Sequence, residues 1–215
     1  MNLRAPARTW GGRTTEERRA ERRARLIDAA LEIWLDSGWA AVTMRGVCTR
    51  AALNDRYFYE HFADRDELLV AAWDDVNTEV LADLGALVAE RIADPPLEIV
   101  RAAIALVVQQ QSTGRARILF ADHAGSAVLE ERRKVALIDA TDLLVATSRP
   151  YLRADIDETE FRMSALFGIG GFIELLTAWR TGAMDIDGTR IADQVGALTT
   201  LLGAQYLAPN ITSTE

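Results

Sequence analysis

Cysteine is all but missing from this chain. Cys48 is the only one in 215 residues, so neither an intrachain disulfide nor a cysteine-based metal site can form. Histidine occurs twice, at His61 and His123. His123 stands near Asp122 and Glu130, but the seven-residue spacing and the lack of further histidines exclude a metal cluster. We expect no metal and no cofactor. No nucleophile–base spacing stands out, and Gly168–Ile169–Gly170–Gly171 follows no strand, so it is not a dinucleotide loop. The Arg-rich N-terminus lacks the apolar core of a secretory signal. The longest apolar stretch, Met163 to Trp179, contains Glu174 and falls short of the roughly 20 residues a membrane span needs. The expectation is a cytoplasmic protein with no membrane partner. Strand signals are absent as well, which leaves an all-α chain.

What is present is charge unevenly placed on a chain with 49% hydrophobic residues, enough for a real core. Formal net charge is −8, which argues against general coating of nucleic acid. Yet residues 1–25 hold eight Arg and three Glu, and the chain beyond residue 73 carries −9. An acidic body with a basic N-terminal end suits a protein that meets phosphate through that end only. Lysine occurs once against 23 arginines throughout the chain, which reads as coding preference.

Apolar residues recur at helical spacing, with Gly, Pro and Asp at the breaks. Leu26, Ile27, Ala30, Leu31, Trp34 and Leu35 make one face of a first helix that stops at Gly38. Thr43 caps a short second helix ending near Arg50, and Asn54 caps a third. Asp64 with Glu67 forms a capping box for a long fourth helix running towards Ile92. Asp94–Pro95 opens the next, which ends at Gly114. A short segment spans Arg115 to His123. Further helices run from Ser126 to Arg149, from a capping box at Asp155 and Glu158 to Trp179 with a stop at Gly182, and onward from Asp187. Counting the short segment, that is about nine helices. They divide into a basic N-terminal arm (1–22), a three-helix DNA-binding domain (23–66) and a larger helical bundle (67–215).

The stretch Asn54 to Phe62 carries the most information. Three short helices of this spacing, the third opening with Asn and bearing Arg and Tyr on successive turns, read as a helix-turn-helix whose third helix enters the major groove. Thr43 and Arg45 begin the helix that lies near a phosphate. Asn54, Asp55, Arg56 and Tyr57 begin the reading helix, where the Arg56 fork matches a guanine edge. Tyr57 and Tyr59 offer hydroxyls to phosphate, and Phe58 and Phe62 point inward. The competing structural reading is a plain three-helix packing unit. It leaves Arg, Tyr, Tyr and His clustered on one short helix without a reason.

Taken in order, Ile27–Asp28–Ala29–Ala30, Gly38, Thr43–Met44–Arg45, Tyr59–Glu60–His61–Phe62 and Asp64–Arg65–Asp66–Glu67–Leu68–Leu69 resemble the tetracycline-repressor (TetR) family of bacterial regulators, over roughly Arg23 to Val76. This chain departs from the family pattern in the turn, where Ala52 replaces the usual Gly and would be strained at a positive φ. Arg56 and Tyr57 stand where small residues are usual. Arg65 stands for a common Lys, keeping a phosphate-binding charge beside His61, and Cys48 stands for Ala as a packed thiol.

The resemblance implies a repressor released from a palindromic double-stranded operator by a small effector, with a pocket in the bundle and a homodimer interface on the last two helices. Mostly apolar pocket candidates with a few polar groups are Trp73, Gln109, Phe120, His123 and Met163. Dimer candidates are Phe161, Phe167, Gly168, Gly171, Phe172 and Leu175 on the penultimate helix, with Val195, Leu198 and Leu202 on the last. Close approach of another helix accounts for the glycines, and so does packing within the chain. The arginines of the arm suit a minor groove or a solvated helix with Glu17 and Glu21 paired to Arg22 and Arg25. Two further readings stay open: a helical regulator acting through protein contact alone, and an enzyme on a helical bundle.

Overall fold

A computed structural model describes residues 14–208. Among them are eight α-helices and no strand; the only β-type pairing is an isolated bridge between Leu152 and Leu207. The ninth helix expected at Arg115 to His123 is a single 3-10 turn, Arg115–Ile118, followed by irregular chain. The chain divides into two compact units, residues 1–74 and 75–215. The division lies beyond the expected 66/67 boundary because Leu68, Leu69, Ala72 and Trp73 are buried with the first unit.

In the first unit, α1 (Thr15–Ser37) is longer than expected. Thr14 accepts from the Glu17 N–H at 3.1 Å, and Glu17 accepts from the Thr14 N–H at 2.6 Å. That closed capping box satisfies two orphan donors and starts the helix inside the expected arm. Residues 15–22 are therefore helix, while residues 1–13 of the arm lie outside the described residues. Gly38, at φ 81°, ends the helix. A 3-10 turn, Trp39–Ala41, leads into α2 (Met44–Ala51), and α3 spans Asp55–Tyr59. Leu26, Leu31, Val42, Val47, Phe58 and Phe62 fill the core, with the rings of Phe58 and Phe62 5.7 Å apart.

The turn between α2 and α3 requires the strain suggested by the sequence. Ala52 sits at φ 50°, ψ 46°, the one non-glycine residue at positive φ among those described. The Leu53 N–H reaches the Cys48 carbonyl at 3.0 Å and the Ala52 N–H reaches Thr49 at 3.2 Å, the paired bonds of a Schellman ending. A left-handed L-residue costs about 1–2 kcal/mol, partly offset by the lower backbone entropy of Ala in the unfolded chain. Ala52→Gly is accordingly expected to stabilise the protein by about 0.5–1 kcal/mol. A urea titration that shows no rise in midpoint would count against stored strain.

α4 (Arg65–Glu90) begins in the first unit and ends in the second. Half of the expected capping box is present: the Glu67 N–H donates to Asp64 at 2.8 Å, while the Glu67 carboxylate accepts from the N–H of Ala63, one residue before the cap, at 2.6 Å. The second unit continues with α5 (Pro96–Thr113), α6 (Ala127–Ser148), α7 (Glu158–Arg180) and α8 (Gly188–Tyr206). α5 packs on α8, and α6 on α7. One core cluster joins Ile104, Val107 and Val108 of α5 to Leu176 of α7 and to Ile191 and Val195 of α8.

The cap of α7 differs from expectation. Asp157, two residues on from Asp155, accepts from the Thr159 N–H at 2.6 Å. Asp155 and Glu158 are instead held by arginines, at 2.6 Å from Arg153 and Arg149 respectively. Near its start, α8 passes close to its neighbours. A Cβ at Gly188 would lie 2.8 Å from the Trp179 ring and 2.9 Å from Val108. Neither a broad ring nor a stiff, buried valine yields cheaply, so Gly188→Ala should lose about 1–3 kcal/mol by overpacking. An unchanged thermal midpoint would show that the contact relaxes.

α7 is the one helix among the described residues long and apolar enough to cross a membrane by length and composition, although only 11% of its most apolar window is buried. Its apolar surface is nearly continuous around the helix, as an element sharing residues between an intrachain core and a second surface would require.

Candidate DNA-binding site and effector cleft

Local capping chemistry builds the reading head. Thr43 accepts from the Gly46 N–H at 3.1 Å and starts α2; Asn54 accepts from the Tyr57 N–H at 3.3 Å and starts α3. Both side chains thus serve the backbone first. Arg45, Asp55, Arg56 and Tyr59 are exposed, Tyr59 at 60% and the Arg56 side chain at 84%. The Arg56 Nε lies 3.3 Å from a Glu60 oxygen. Tyr57 is half-buried beneath the Arg22 guanidinium, which lies 4.7 Å above its ring. His61 is half-buried, and its pKa is pushed below the usual histidine value by burial and then by Arg19 and Arg22.

Arg65, expected to meet a phosphate, also braces the fold. Its Nε donates to the Val42 carbonyl at 2.5 Å and its Nη2 to the Trp39 carbonyl at 2.8 Å, with the group 5.4 Å above the Trp39 ring. These bonds satisfy carbonyls left over by the 3-10 turn and lock α4 to the entry of α2. Two arginines of α1 also reach across the unit: Arg25 donates to the Ala51 carbonyl, and Arg22 meets Glu60, so they brace α2 and α3. Cys48 is buried, and burial with Asp55 beside it pushes its thiol pKa up. It is a packed, unreactive thiol.

In the second unit the five pocket candidates do not converge. Trp73 is buried in the first unit, Phe120 packs on the α5–α8 core, and Gln109 and Met163 are exposed. The polar side chain that faces inward from α5 is Gln111, fully buried with its Nε2 3.3 Å from the Val107 carbonyl. Its Oε1 meets no donor among the described residues. Ile104, Val107, Val108 and Gln111 follow i, i+3, i+4, i+7, the pattern that could have singled it out.

His123 lines a cleft of about 470 Å³, shared with Glu130, Arg133 and Leu137 of α6 and with Ile173 and Glu174 of α7. Arg133 and Glu174 form an ion pair from one helix to the other. The His123 Nε2–H donates to the Ile118 carbonyl at 3.0 Å, which sets the neutral tautomer. Burial holds its pKa below the usual value of 6.5. The unfolded chain therefore takes up the proton first as pH falls. Stability from this group is complete above pH 6.5 and declines as pH drops from there through the lower folded value. The urea midpoint should fall between pH 7 and pH 5.5, and less steeply in His123→Asn; parallel slopes would remove His123 as the cause.

The expected dimer residues split into two sets. Val195 belongs to the core, Phe172 and Leu175 pack against it, and the Phe161 ring lies 5.3 Å from that of Tyr206. All four take part in the chain's own packing, Phe172 and Leu175 against the core shared by α5, α7 and α8 and Phe161 against Tyr206. Gly168 faces Leu202 within the chain, with 3.9 Å between a would-be Cβ and Cδ1. Facing outward are Phe167 at 82% exposure and Leu198 at 47%, with Gly171 open to space. Met163 and Leu201 join them, neither of them among the dimer candidates.

Residues 26–72 match the model of the tetR family of bacterial regulatory proteins. The N-terminal segment of the chain is thus similar to that family's. No curated protein matches it in sequence. Among solved structures it is similar to the fatty acid degradation regulator FadR from Bacillus halodurans, at 17% identity and TM-score 0.64, covering 83% of this chain and 94% of that one. It is also similar to SmeT, repressor of the Stenotrophomonas maltophilia multidrug efflux pump SmeDEF, at 19% identity and TM-score 0.64 over 88% and 92%. SmeT has been solved in complex with triclosan as well. A TetR-family regulator from Pectobacterium atrosepticum matches at 21% identity and TM-score 0.63 over 91% and 98%. Identities this low establish a shared fold. The matched model describes bacterial regulatory proteins, which counts against the enzyme reading.

Proposed function

We propose that this protein is a cytoplasmic, homodimeric repressor that binds a palindromic operator and is released by a small, partly apolar effector. The observation that carries the proposal is the exposed set Arg45, Arg56 and Tyr59 on two capped helices joined by a strained Schellman turn. A two-fold protein matches a two-half-site operator. The similar structure of SmeT is that of a repressor and has been seen with triclosan, which supports a repressor role and a small-molecule effector for this chain. The cleft beside His123 offers apolar walls from Leu137 and Ile173 and polar anchors from Arg133 and Glu174.

An effector bound in the second unit is expected to shift the protein between states of different operator affinity. The shift can be no larger than the effector's differential affinity for the two states. Selection of duplexes from a random DNA pool, followed by sequencing, tests the operator. Palindromic half-sites about one turn apart are expected, and a pool that shows no enrichment refutes the proposal. Hits from a thermal-shift screen should then displace the selected duplex. A tight ligand that leaves DNA affinity untouched would refute the effector role.

A further inference from the structure

Two arginines meet one carboxylate at the edge of the reading helix, and two more lie on the residues around it. Glu60, directly after α3, lies 3.3 Å from Arg56 Nε and 3.8 Å from Arg22 Nη2, and its backbone carbonyl accepts from Arg19 at 3.2 Å. Arg23 lies over the Phe62 ring at 5.3 Å. The Glu60 carboxylate is the ion-pair partner of both Arg22 and Arg56. Its two ion pairs are also long beside the 2.7–2.9 Å typical of a charge-assisted bond. Arg22 Nε and His61 Nε2 are buried and meet no acceptor among the described residues. Each covered, unpaired donor costs about 1–3 kcal/mol. This excess of donors, loosely held by Glu60, is suited to an anion arriving from outside.

Resting on the reading of this chain as a DNA-binding protein, we propose that Arg19, Arg22 and Arg23 of α1, together with His61, form a second phosphate-binding ledge beside the reading helix, with Glu60 holding its place until a backbone phosphate of the duplex displaces it. The ledge is continuous with the reading head, since Arg22 stacks on Tyr57 and shares Glu60 with Arg56. Arg19, Arg23 and Arg56 are exposed, and all are long side chains able to swing onto a phosphate. A doubly coordinated phosphate oxygen pair matches the guanidinium fork better than the two long contacts to Glu60 do. The displaced Glu60 then turns to water, and the covered Arg22 Nε and His61 Nε2 gain an acceptor. This site is formed by the body of α1, not by the chain preceding it, so it specifies a backbone contact in addition to any in the groove.

Counterion release makes the ledge measurable. Log affinity falls with log salt by about 0.9 per phosphate contacted. Binding of the full chain to a random-sequence 30-base-pair duplex is followed by fluorescence anisotropy from 50 to 300 mM NaCl. Arg19→Gln/Arg23→Gln and Arg22→Gln should each flatten the slope by about 0.9 or more. Arg50→Gln is the charge control, since Arg50 pairs at 3.2 Å with Asp36 away from the ledge, and it should leave the slope unchanged. Glu60→Gln should tighten binding several-fold, as the place-holder is lost. Far-ultraviolet circular dichroism and urea midpoints verify that each variant folds; if Arg22→Gln unfolds, the exposed double variant still decides. An unchanged slope in the double variant, with Arg56→Ala still weakening binding, overturns the ledge alone. A slope loss equal to that of Arg50→Gln overturns it too, by reducing it to net charge. A wild-type chain that binds no duplex overturns both the ledge and the proposed function.

Discussion

Arg56→Ala is expected to weaken binding to the selected operator by about 1–3 kcal/mol, roughly five- to 150-fold, and to relax base preference at one position of each half-site. The side chain is 84% exposed, so its removal costs little in folding. Its position in the first turn of a reading helix places a planar fork where guanine presents O6 and N7. Its pairing with Glu60 slightly reduces the gain on binding but restricts the rotamers that must be ordered. Tyr59→Phe is the contrasting case: loss of a hydroxyl that meets phosphate weakens every duplex alike. Selection repeated with the Arg56 variant gives the readout. Unchanged affinity together with an unchanged consensus would move base reading to another residue, with Arg45 next in line.

Much of the N-terminal unit was legible because its signals are local. Thr43, Asn54 and Asp64 are caps, and a cap is a relation among a few neighbouring residues. The strain at Ala52 was legible only through the resemblance, which puts Gly at that turn position. Thr14 with Glu17 was equally readable as a capping box and would have placed the start of α1 correctly. Arg65 was not readable. Its acceptors belong to a 3-10 turn some 25 positions earlier in the chain, and nothing in the spacing of residues announces that turn.

The second unit was legible in outline only. Three glutamines in a row, residues 109–111, leave composition silent about which faces in, although the apolar positions before them point to Gln111. The α7 segment defeats periodicity altogether. Its residues are apolar on nearly every side, so Phe161, Phe172 and Leu175 could not be told from Phe167 until packing against the core and Tyr206 separated them. The cleft beside His123 joins a loop, α6 and α7, a juxtaposition set by tertiary packing. His123 was found because it is one of only two histidines; Arg133 and Glu174 had no such distinction.

Phe167→Glu/Leu201→Glu is expected to convert a dimer to a monomer, the largest single effect we foresee. Phe167 is 82% and Leu201 69% exposed, and Met163 and Leu198 are 59% and 47% exposed on the same two helices. Met163, Phe167 and Leu202 also line one shallow groove, so the apolar surface continues from α7 to α8. A contiguous apolar patch of this kind is uncommon on a monomer. Closing a copy of the same face over it in two-fold fashion buries each Phe167 against its partner's helices. Gly171, with nothing within 4 Å of a would-be Cβ, leaves room for that approach. Two carboxylates per chain placed in such an interface would be buried near their symmetry mates, and desolvation with like-charge repulsion would prevent closure. Light scattering at micromolar concentration should give twice the chain mass of 23.7 kDa for the wild type and the chain mass itself for the variant. The monomer should retain its helicity, since neither side chain belongs to the α5–α8 core. It should also lose most of its operator affinity, because one reading head cannot engage two half-sites together. A wild type of single-chain mass, or a charged variant that stays dimeric, would place the partner surface elsewhere.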